Sequence, residues 1–315
     1  MVKYCFGVDL GGTSVKLGLF DPEGTVLEKW EIPTRKDESG SKILPDIAKS
    51  ILDKAAEKNI AKEEVAGVGI GVPGPVDGKG IVHRAVNLGW DVMNINETLG
   101  GLLGMPVKAG NDANVAALGE MWCGGGKGYT NMVLATLGTG VGGGIIINGE
   151  MVTGATGAGG EIGHIHIEDN EPDACGCGNH GCLEQYASAT GVVRLAERKL
   201  AASDKDSVLR AAKANGRLSA KAVFDAVKAG DELACEIAEQ FGDYLGKGFA
   251  MIAGVVNPEV FVLGGGVSKA GELLCEYVSK YYKKYVFHGS IDAQFKLATL
   301  GNDAGIYGAA KLVIG

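Results

Sequence analysis

Tyr4-Cys5-Phe6-Gly7-Val8-Asp9-Leu10-Gly11-Gly12-Thr13 runs on through Ser14 to Val15-Lys16-Leu17-Gly18-Leu19-Phe20, and the second half of this stretch decides what the first half means. The opening apolar run fits a short buried strand. After the glycines, Val15, Leu17 and Leu19 alternate with Lys16, Gly18 and Phe20, which is the period of a strand and not of a helix. The stretch is therefore a hairpin with a glycine-rich tip. A Walker loop or a dinucleotide fingerprint would pass from strand into helix, and the full glycine spacing of either is missing.

The same pattern returns where Met132-Val133-Leu134-Ala135-Thr136 leads through Leu137-Gly138-Thr139-Gly140 into Gly143-Gly144-Ile145-Ile146-Ile147 and the turn Asn148-Gly149. Without gaps, Leu10-Gly11 falls on Leu137-Gly138, Leu19-Phe20 on Ile146-Ile147, and Asp21 on Asn148. Short matches also arise by chance in a chain with 52 glycines, but the reading that follows is two related halves, each opening on strand, glycine turn and return strand. A nucleotide held between such halves would meet backbone N–H groups from both tips.

Between the hairpins, Ile43, Leu44, Ile47, Ile51 and Leu52 have helical spacing over residues 43–58. Val65 to Val72 reads as a strand that ends in the sharp turn Pro73-Gly74-Pro75-Val76-Asp77-Gly78. Residues 191–253 look helical, Val260-Phe261-Val262-Leu263 forms a strand, and Gly264-Gly265-Gly266 is expected to open a further helix while letting a flat ring or a phosphate approach the backbone. No long linker separates these units.

Composition narrows the function classes. Apolar residues make up 46% and charged residues 22% of 315, which is ordinary for a packed globular chain. A formal charge of -8, with no Lys/Arg-rich block, gives no electrostatic footprint for nucleic acid or an anionic membrane. The N-terminus lacks the regions of a signal peptide, no later stretch approaches a membrane span, and the cysteines look free, so the cytoplasm is the expected location.

The segment Gly160-Glu161-Ile162-Gly163-His164, followed by Cys175-Gly176-Cys177-Gly178-Asn179-His180-Gly181-Cys182-Leu183-Glu184, carries the most specific chemistry. His164, Cys175, Cys177 and Cys182 make a closed tetrahedral set for zinc, leaving no position for a reacting water, so the metal would be structural. The alternative is a disulfide, but seven cysteines is an odd count and Cys175 and Cys177 lie too close to bridge easily. With that set complete, His166 and His180 are left to surface or packing roles. Glu161 and Glu184, beside this knot, could accept hydrogen bonds from a ligand rich in hydroxyls.

Together these residues resemble the ROK family of sugar kinases and repressors, within the actin-like phosphotransferases, over essentially the whole chain. Asp9-x-Gly11-Gly12-Thr13 is similar to the family's first phosphate motif, Gly138-Thr139-Gly140 to its second and Gly264-Gly265-Gly266 to its adenosine motif, while Glu-x-Gly-His and Cys-x-Cys-Gly-x-x-Gly-Cys-x-Glu are similar to its zinc and sugar signature. The resemblance implies an α/β, two-domain actin-like (ribonuclease H-like) sugar kinase fold with a central ATP and sugar cleft. It divides the chain into a small N-terminal domain over 1–115, joined by a C-terminal helix over 301–315, and a large domain with the zinc over 116–300. Gly305, Gly308, Ala309 and Ala310 would let that helix pack closely.

The resemblance also assigns roles. Asp112, in Gly110-Asn111-Asp112-Ala113-Asn114, would be the general base that takes the proton of the attacking sugar hydroxyl; read from its neighbours alone, it caps the helix that follows, and both can hold. Asp9 would order Mg²⁺, with Gly11, Gly12, Thr13, Gly138, Thr139, Gly140, Gly264, Gly265 and Gly266 around ATP. Lys16 reads as a strand-surface lysine with no phosphate contact. Asn111, Asp112, Glu161, His164 and Glu184 would hold the sugar, with Gly74 and Asn87 as weaker carry-overs, and His164 would turn one ring nitrogen to zinc and the other to the sugar. The implied reaction is phosphorylation of glucose to glucose 6-phosphate by ATP with Mg²⁺ and structural Zn²⁺, in a homodimer or homotetramer without nucleic acid or membrane partners. A kinase for mannose, fructose, N-acetylmannosamine or N-acetylglucosamine would use nearly the same motifs, and a sugar-sensing protein without catalysis is the non-enzyme alternative.

Overall fold

In the computed structural model, which describes residues 2–83 and 85–315, strand β1 (Tyr4–Leu10) is buried along most of its length, which is why its sequence is apolar without alternation. It turns into β2 (Ser14–Phe20), antiparallel with Leu10 opposite Val15, and then β3 (Val26–Pro33), whose side chains alternate half-buried and exposed as befits an edge strand. The four-residue turn α1 (Asp37–Gly40) holds Glu38 and Ser39 at φ of 52° and 55°. Helix α2 (Ile43–Glu57) buries Ile43, Leu44, Ile47, Ala48 and Ile51, the stripe its spacing dictates. Then come β4 (Val65–Val72), the short pair β5 (Ile81–Val82) and β6 (Met93–Asn94), α3 (Ile95–Leu103), β7 (Val107–Asn111) and α4 (Asp112–Cys123). The first sheet has the order β3-β2-β1-β4-β7, with β4 parallel to β1 and to β7.

The second hairpin is β8 (Met132–Leu137) and β9 (Val141–Ile147), followed by β10 (Glu150–Met151). Asn148 and Gly149 take φ of 52° and 81°, and Glu150 pairs with Ile147, so Asn-Gly makes the tight turn its residues favour. After the short α5 (Glu184–Ala187), the helices α6 (Ala189–Ala201), α7 (Val208–Ala214), α8 (Ala220–Lys228) and α9 (Glu232–Val256) fill the stretch read as helical. Strand β11 (Val260–Gly264), α10 (Glu272–Tyr285), β12 (Gln294–Leu297) and α11 (Ala304–Ile314) complete the chain. The second sheet has the order β10-β9-β8-β11-β12, with β11 parallel to β8 and to β12. It repeats the plan of the first, strand for strand. A 3₁₀ turn, Val267–Ala270, follows the three glycines, and α10 starts only after Gly271, so the glycines do not open an α-helix directly.

The chain divides into two compact units: residues 1–130, 144–160 and 300–315 in one, and 131–143 and 161–299 in the other. The first unit therefore takes the whole of α4, where the sequence reading divides the chain between 115 and 116, and it also takes α11. The reason is close packing of α11 on α4, β1 and β4: a Cβ on Gly308 would strike the Val115 carbonyl, and one on Gly69 the Ala309 carbonyl. Its core is Phe6, Val8, Leu10, Leu17, Ile47, Val68 and Ile70 with their neighbours, and each such side chain fully buried contributes about 1.5–3 kcal/mol. In the second unit, Phe249, Phe261 and Phe295 stack, with the first two centroids 4.5 Å apart, and Tyr282 meets Phe261 and Phe295 edge-on.

Candidate active site

In the first unit the β1–β2 tip closes through Gly11 N–H, which donates to the Ser14 carbonyl at 3.0 Å. Gly12 and Thr13 are exposed, and Asp9 is half-buried behind them at the end of β1. Burial pushes the Asp9 carboxyl above the ordinary aspartate range; Lys16 opposes this and the charge of Asp112 adds to it. The two carboxylates are thus near enough for their charges to be felt. Lys16 is turned away from the tip and donates to the Asn302 carbonyl at 3.0 Å.

The end of β7 sets the geometry of Asp112. Asn111, 9% exposed, is the N-cap of α4: its Oδ1 accepts from Ala113 N–H and Asn114 N–H, each at 3.1 Å, and its Nδ2 donates to the Gly74 carbonyl at 3.0 Å. The capping role expected of Asp112 belongs to Asn111. Asp112 is the first helical residue and its Oδ1 accepts from Ala113 N–H at 2.8 Å, a second acceptor on the same donor. Three of the four hydrogen-bonding positions on the Asn111 amide are used, leaving one N–H for an outside acceptor. Gly74 takes φ of 96°, which fits the sharp turn after β4. Asn87 is exposed in a short turn ahead of Gly89. Asn114, 2% exposed, has an Oδ1 with no donor, although its Nδ2 reaches the Gly159 carbonyl at 3.0 Å.

In the second unit the metal-ligand set converges. One ligand atom from each of His164, Cys175, Cys177 and Cys182 lies within 4.8 Å of all the others. His164 Nδ1 stands 3.7 Å from Cys175 Sγ, so Nδ1 is the nitrogen facing the thiols. Cys177 and Cys182 sulfurs are 3.6 Å apart, far beyond a bond, and all seven cysteines are free thiols, which answers the disulfide alternative. Burial raises the Cys175 thiol and, with the neighbouring thiols, pushes Cys182 up to about 12, whereas the Asn179 N–H lowers Cys177. Three thiols this close resist ionising together unless a cation compensates them, and Cys₃His with these spacings fits zinc. His166 and His180 stay out of the cluster: each donates from Nδ1 to a carbonyl at 3.0 Å, His166 to that of His180 and His180 to that of Glu171.

Glu184, the first residue of α5, ties this cluster to the β8–β9 tip. Its Oε2 accepts from Val141 N–H at 2.9 Å and its Oε1 from the Cys175 thiol at 3.6 Å. Glu161 is exposed just ahead of the 3₁₀ turn Ile162–His164. Thr139 is exposed at the tip and its carbonyl accepts from Thr190 Oγ1 at 2.5 Å. Gly265, at φ of 81°, lies against the Leu137 backbone, where a side chain would collide. Beside Gly266 opens a cavity of about 280 Å³ lined by Lys221, Phe224, Lys228, Val267 and Lys269 among others, roomy enough for a flat heteroaromatic ring.

Sequence reasoning did not reach Thr34, Lys36, Glu171, Thr190 or Arg198. Glu171, buried, is held by both guanidinium nitrogens of Arg198 at 2.8 and 2.9 Å and by the Tyr186 hydroxyl, which draws its carboxyl down to about 2. An acidic residue in a loop and an arginine on a helix 27 positions away carry no mutual signal in the sequence.

The sequence profile of the ROK family matches residues 5–315. The glucokinase of Halalkalibacterium halodurans is 41% identical over 313 residues, which cover 99% of this chain and 95% of that protein. The glucokinase of Thermotoga maritima is 36% identical over 310 residues, covering 98% and 96%. Among solved structures, a ROK family glucokinase from Streptomyces griseus in complex with glucose and AMPPNP matches with a TM-score of 0.72 and 34% identity, over 98% of each chain.

Proposed function

The chain belongs to the ROK family, and from that premise we propose that it transfers the γ-phosphoryl group of ATP to glucose, giving glucose 6-phosphate and ADP. The observation that carries the reading is Asp112 at the first turn of α4, oriented by the Asn111 cap and within electrostatic reach of Asp9. In the reaction the sugar oxygen forms a bond to phosphorus as the bond from phosphorus to the β-γ bridging oxygen breaks. The hydroxyl proton passes to Asp112, and ADP leaves with the electron pair. One positioned carboxylate is enough, because the rest of catalysis is charge stabilisation and alignment.

Mg²⁺ would supply charge neutralisation on the donor phosphates. Asp9 fits that role: it is half-buried and its ionised form is disfavoured by burial and by Asp112, so a cation nearby relieves both. Gly12 and Thr13 of one tip, and Thr139 and Gly140 of the other, would offer backbone N–H groups and hydroxyls to phosphates, while Gly11 and Gly138 close the two turns through their own N–H groups. Gly264, Gly265 and Gly266 lead to the cavity proposed for the adenine.

Zinc, held by His164, Cys175, Cys177 and Cys182, would supply structural cross-linking of the loop. With Nδ1 given to the metal, His164 would keep Nε2–H as a donor for a sugar hydroxyl. As a metal ligand Cys175 would no longer donate to Glu184, whose Oε1 would then be open to a sugar hydroxyl. Glu161, Gly74, Asn87 and Asn111 complete the proposed hexose contacts, Asn111 through the one N–H that its cap and its bond to Gly74 leave open.

The test is phosphoryl transfer from Mg-ATP to glucose, mannose, fructose, N-acetylglucosamine and N-acetylmannosamine, compared by kcat/KM. We expect a clear preference for glucose. Preference for another sugar keeps the mechanism and changes the substrate, and silence with all five would favour sugar sensing without catalysis.

A further inference from the structure

Strand β3 leaves the first sheet directly beneath the glycine tip. Thr34 fastens it there twice: its N–H donates to the Thr13 carbonyl at 2.9 Å and its Oγ1 to the Gly11 carbonyl at 2.8 Å. Two residues on, the Lys36 ammonium stands 4.0 Å from the point a Cβ on Gly12 would occupy. The far end of this short segment is fastened too. Gly40 offers its carbonyl to Trp90 Nε1 at 3.2 Å, and a Cβ on Gly89 would come within 3.2 Å of the Ser39 backbone. Residues 34–40 therefore span from the phosphate-type tip to the loop carrying Asn87.

The cations around Lys36 have partners. Arg35 is paired with Asp46, its Nε at 2.6 Å from a carboxylate oxygen, and Lys42 lies 3.4 Å from Glu38. Lys16 is spent on the Asn302 carbonyl. Among the described residues, the exposed side chain of Lys36 makes no ion pair or hydrogen bond, yet its backbone is pinned on both sides. An ammonium held over the exposed Gly12–Thr13 turn is suited to an anion that arrives there, and it would offset the repulsion that the carboxylates of Asp9 and Asp112 impose on that anion.

We propose that Lys36 contacts the terminal phosphate of the bound donor at the Gly11–Thr13 tip and stabilises the charge it carries during transfer. This rests on the kinase reading of the site. A lysine so placed adds a point charge to the amide cradle, and losing one such contact to a transferring group typically costs about 10- to 100-fold in rate, rising toward 10³ in a dry site.

The experiment compares Lys36→Met, Lys36→Arg and the nearby control Lys42→Met, by steady-state kinetics with Mg-ATP varied at saturating hexose and by calorimetric titration of each protein with Mg-ATP alone. We expect Lys36→Met to lower kcat/KM for Mg-ATP about 10- to 100-fold and to weaken Mg-ATP binding about fivefold, with KM for the hexose shifting less than about twofold. Lys36→Arg should recover most of the loss, and Lys42→Met should match the parent. Parent-like kcat/KM in Lys36→Met, a loss confined to hexose KM, or an equal loss in Lys42→Met would overturn the assignment. A parent protein that transfers phosphate to no hexose would overturn the kinase reading instead; the titrations would then still judge Lys36, with equal Mg-ATP affinity in parent and Lys36→Met counting against it.

Discussion

The two glycine tips have the same backbone plan and different chemistry behind them. In each, a threonine hydroxyl from a later element fastens a tip carbonyl, Thr34 on Gly11 and Thr190 on Thr139. In each, the residue just before the turn pairs across a parallel strand with a glycine, Asp9 with Gly71 and Thr136 with Gly264. The alignment that places Leu10 on Leu137 places Asp9 on Thr136. The first tip therefore has an acid in its own strand and a lysine above it, while the second is neutral and takes its carboxylate from outside, through Glu184 on Val141. The two sheets share the turn plan and the strand order; the charge lies at one tip, and the Cys/His cluster is tied through Glu184 to the other.

Breaking the charged half should have the larger effect. Asp112→Asn keeps the size of the side chain at the first turn of α4 and removes its basicity, so kcat should fall about 10³-fold while hexose affinity by calorimetry changes little. A variant with ordinary turnover would remove Asp112 as the base. Breaking the scaffolded half should act on binding. Cys177→Ser takes one thiolate from the ligand set, so zinc measured by elemental analysis should fall below one per chain and hexose should bind about 10- to 100-fold more weakly. Full metal content in that variant would defeat the ligand assignment, and lost metal with unchanged hexose affinity would separate the cluster from the sugar.

Local signals account for what was legible in the sequence. Alternation after Gly12 told hairpin from P-loop, and the structure has β2 where the alternation lies. The repeat predicted by aligning two glycine turns became two sheets of matching order. The cysteine spacing foretold the cluster, because ligands so near in sequence can meet within one loop. Less was legible where a role depends on which side chain wins a competition. Asn111 and Asp112 are both good caps, and only the geometry at the end of β7 made Asn111 the cap and Asp112 the first helical residue. Pairings between distant segments left no trace, since neither Thr34 to Gly11 nor Glu171 to Arg198 obeys any period.

That last pair supplies the mildest and most discriminating test of the scaffolded half. Glu171 sits at the entry to the ligand loop: its carbonyl holds His180, its carboxylate accepts from Asp173 N–H at 3.0 Å, and Arg198 and Tyr186 close around it. Its folded-state acidity is drawn down to about 2, first by Arg198, from the ordinary glutamate range near 4.3. A carboxyl depressed on folding stabilises the protein fully above its unfolded value, and that contribution is lost as pH falls from about 4.5 toward 2. Arg198 is 42% exposed, so solvent trims the effect to about 1–2 kcal/mol. Urea denaturation of the parent should therefore lose about half of this more between pH 5 and 3 than Glu171→Gln does, while at pH 7 the variant should be the weaker of the two. Parallel curves would show that the Glu171–Arg198 pair does not brace the loop that carries Cys175, Cys177 and Cys182.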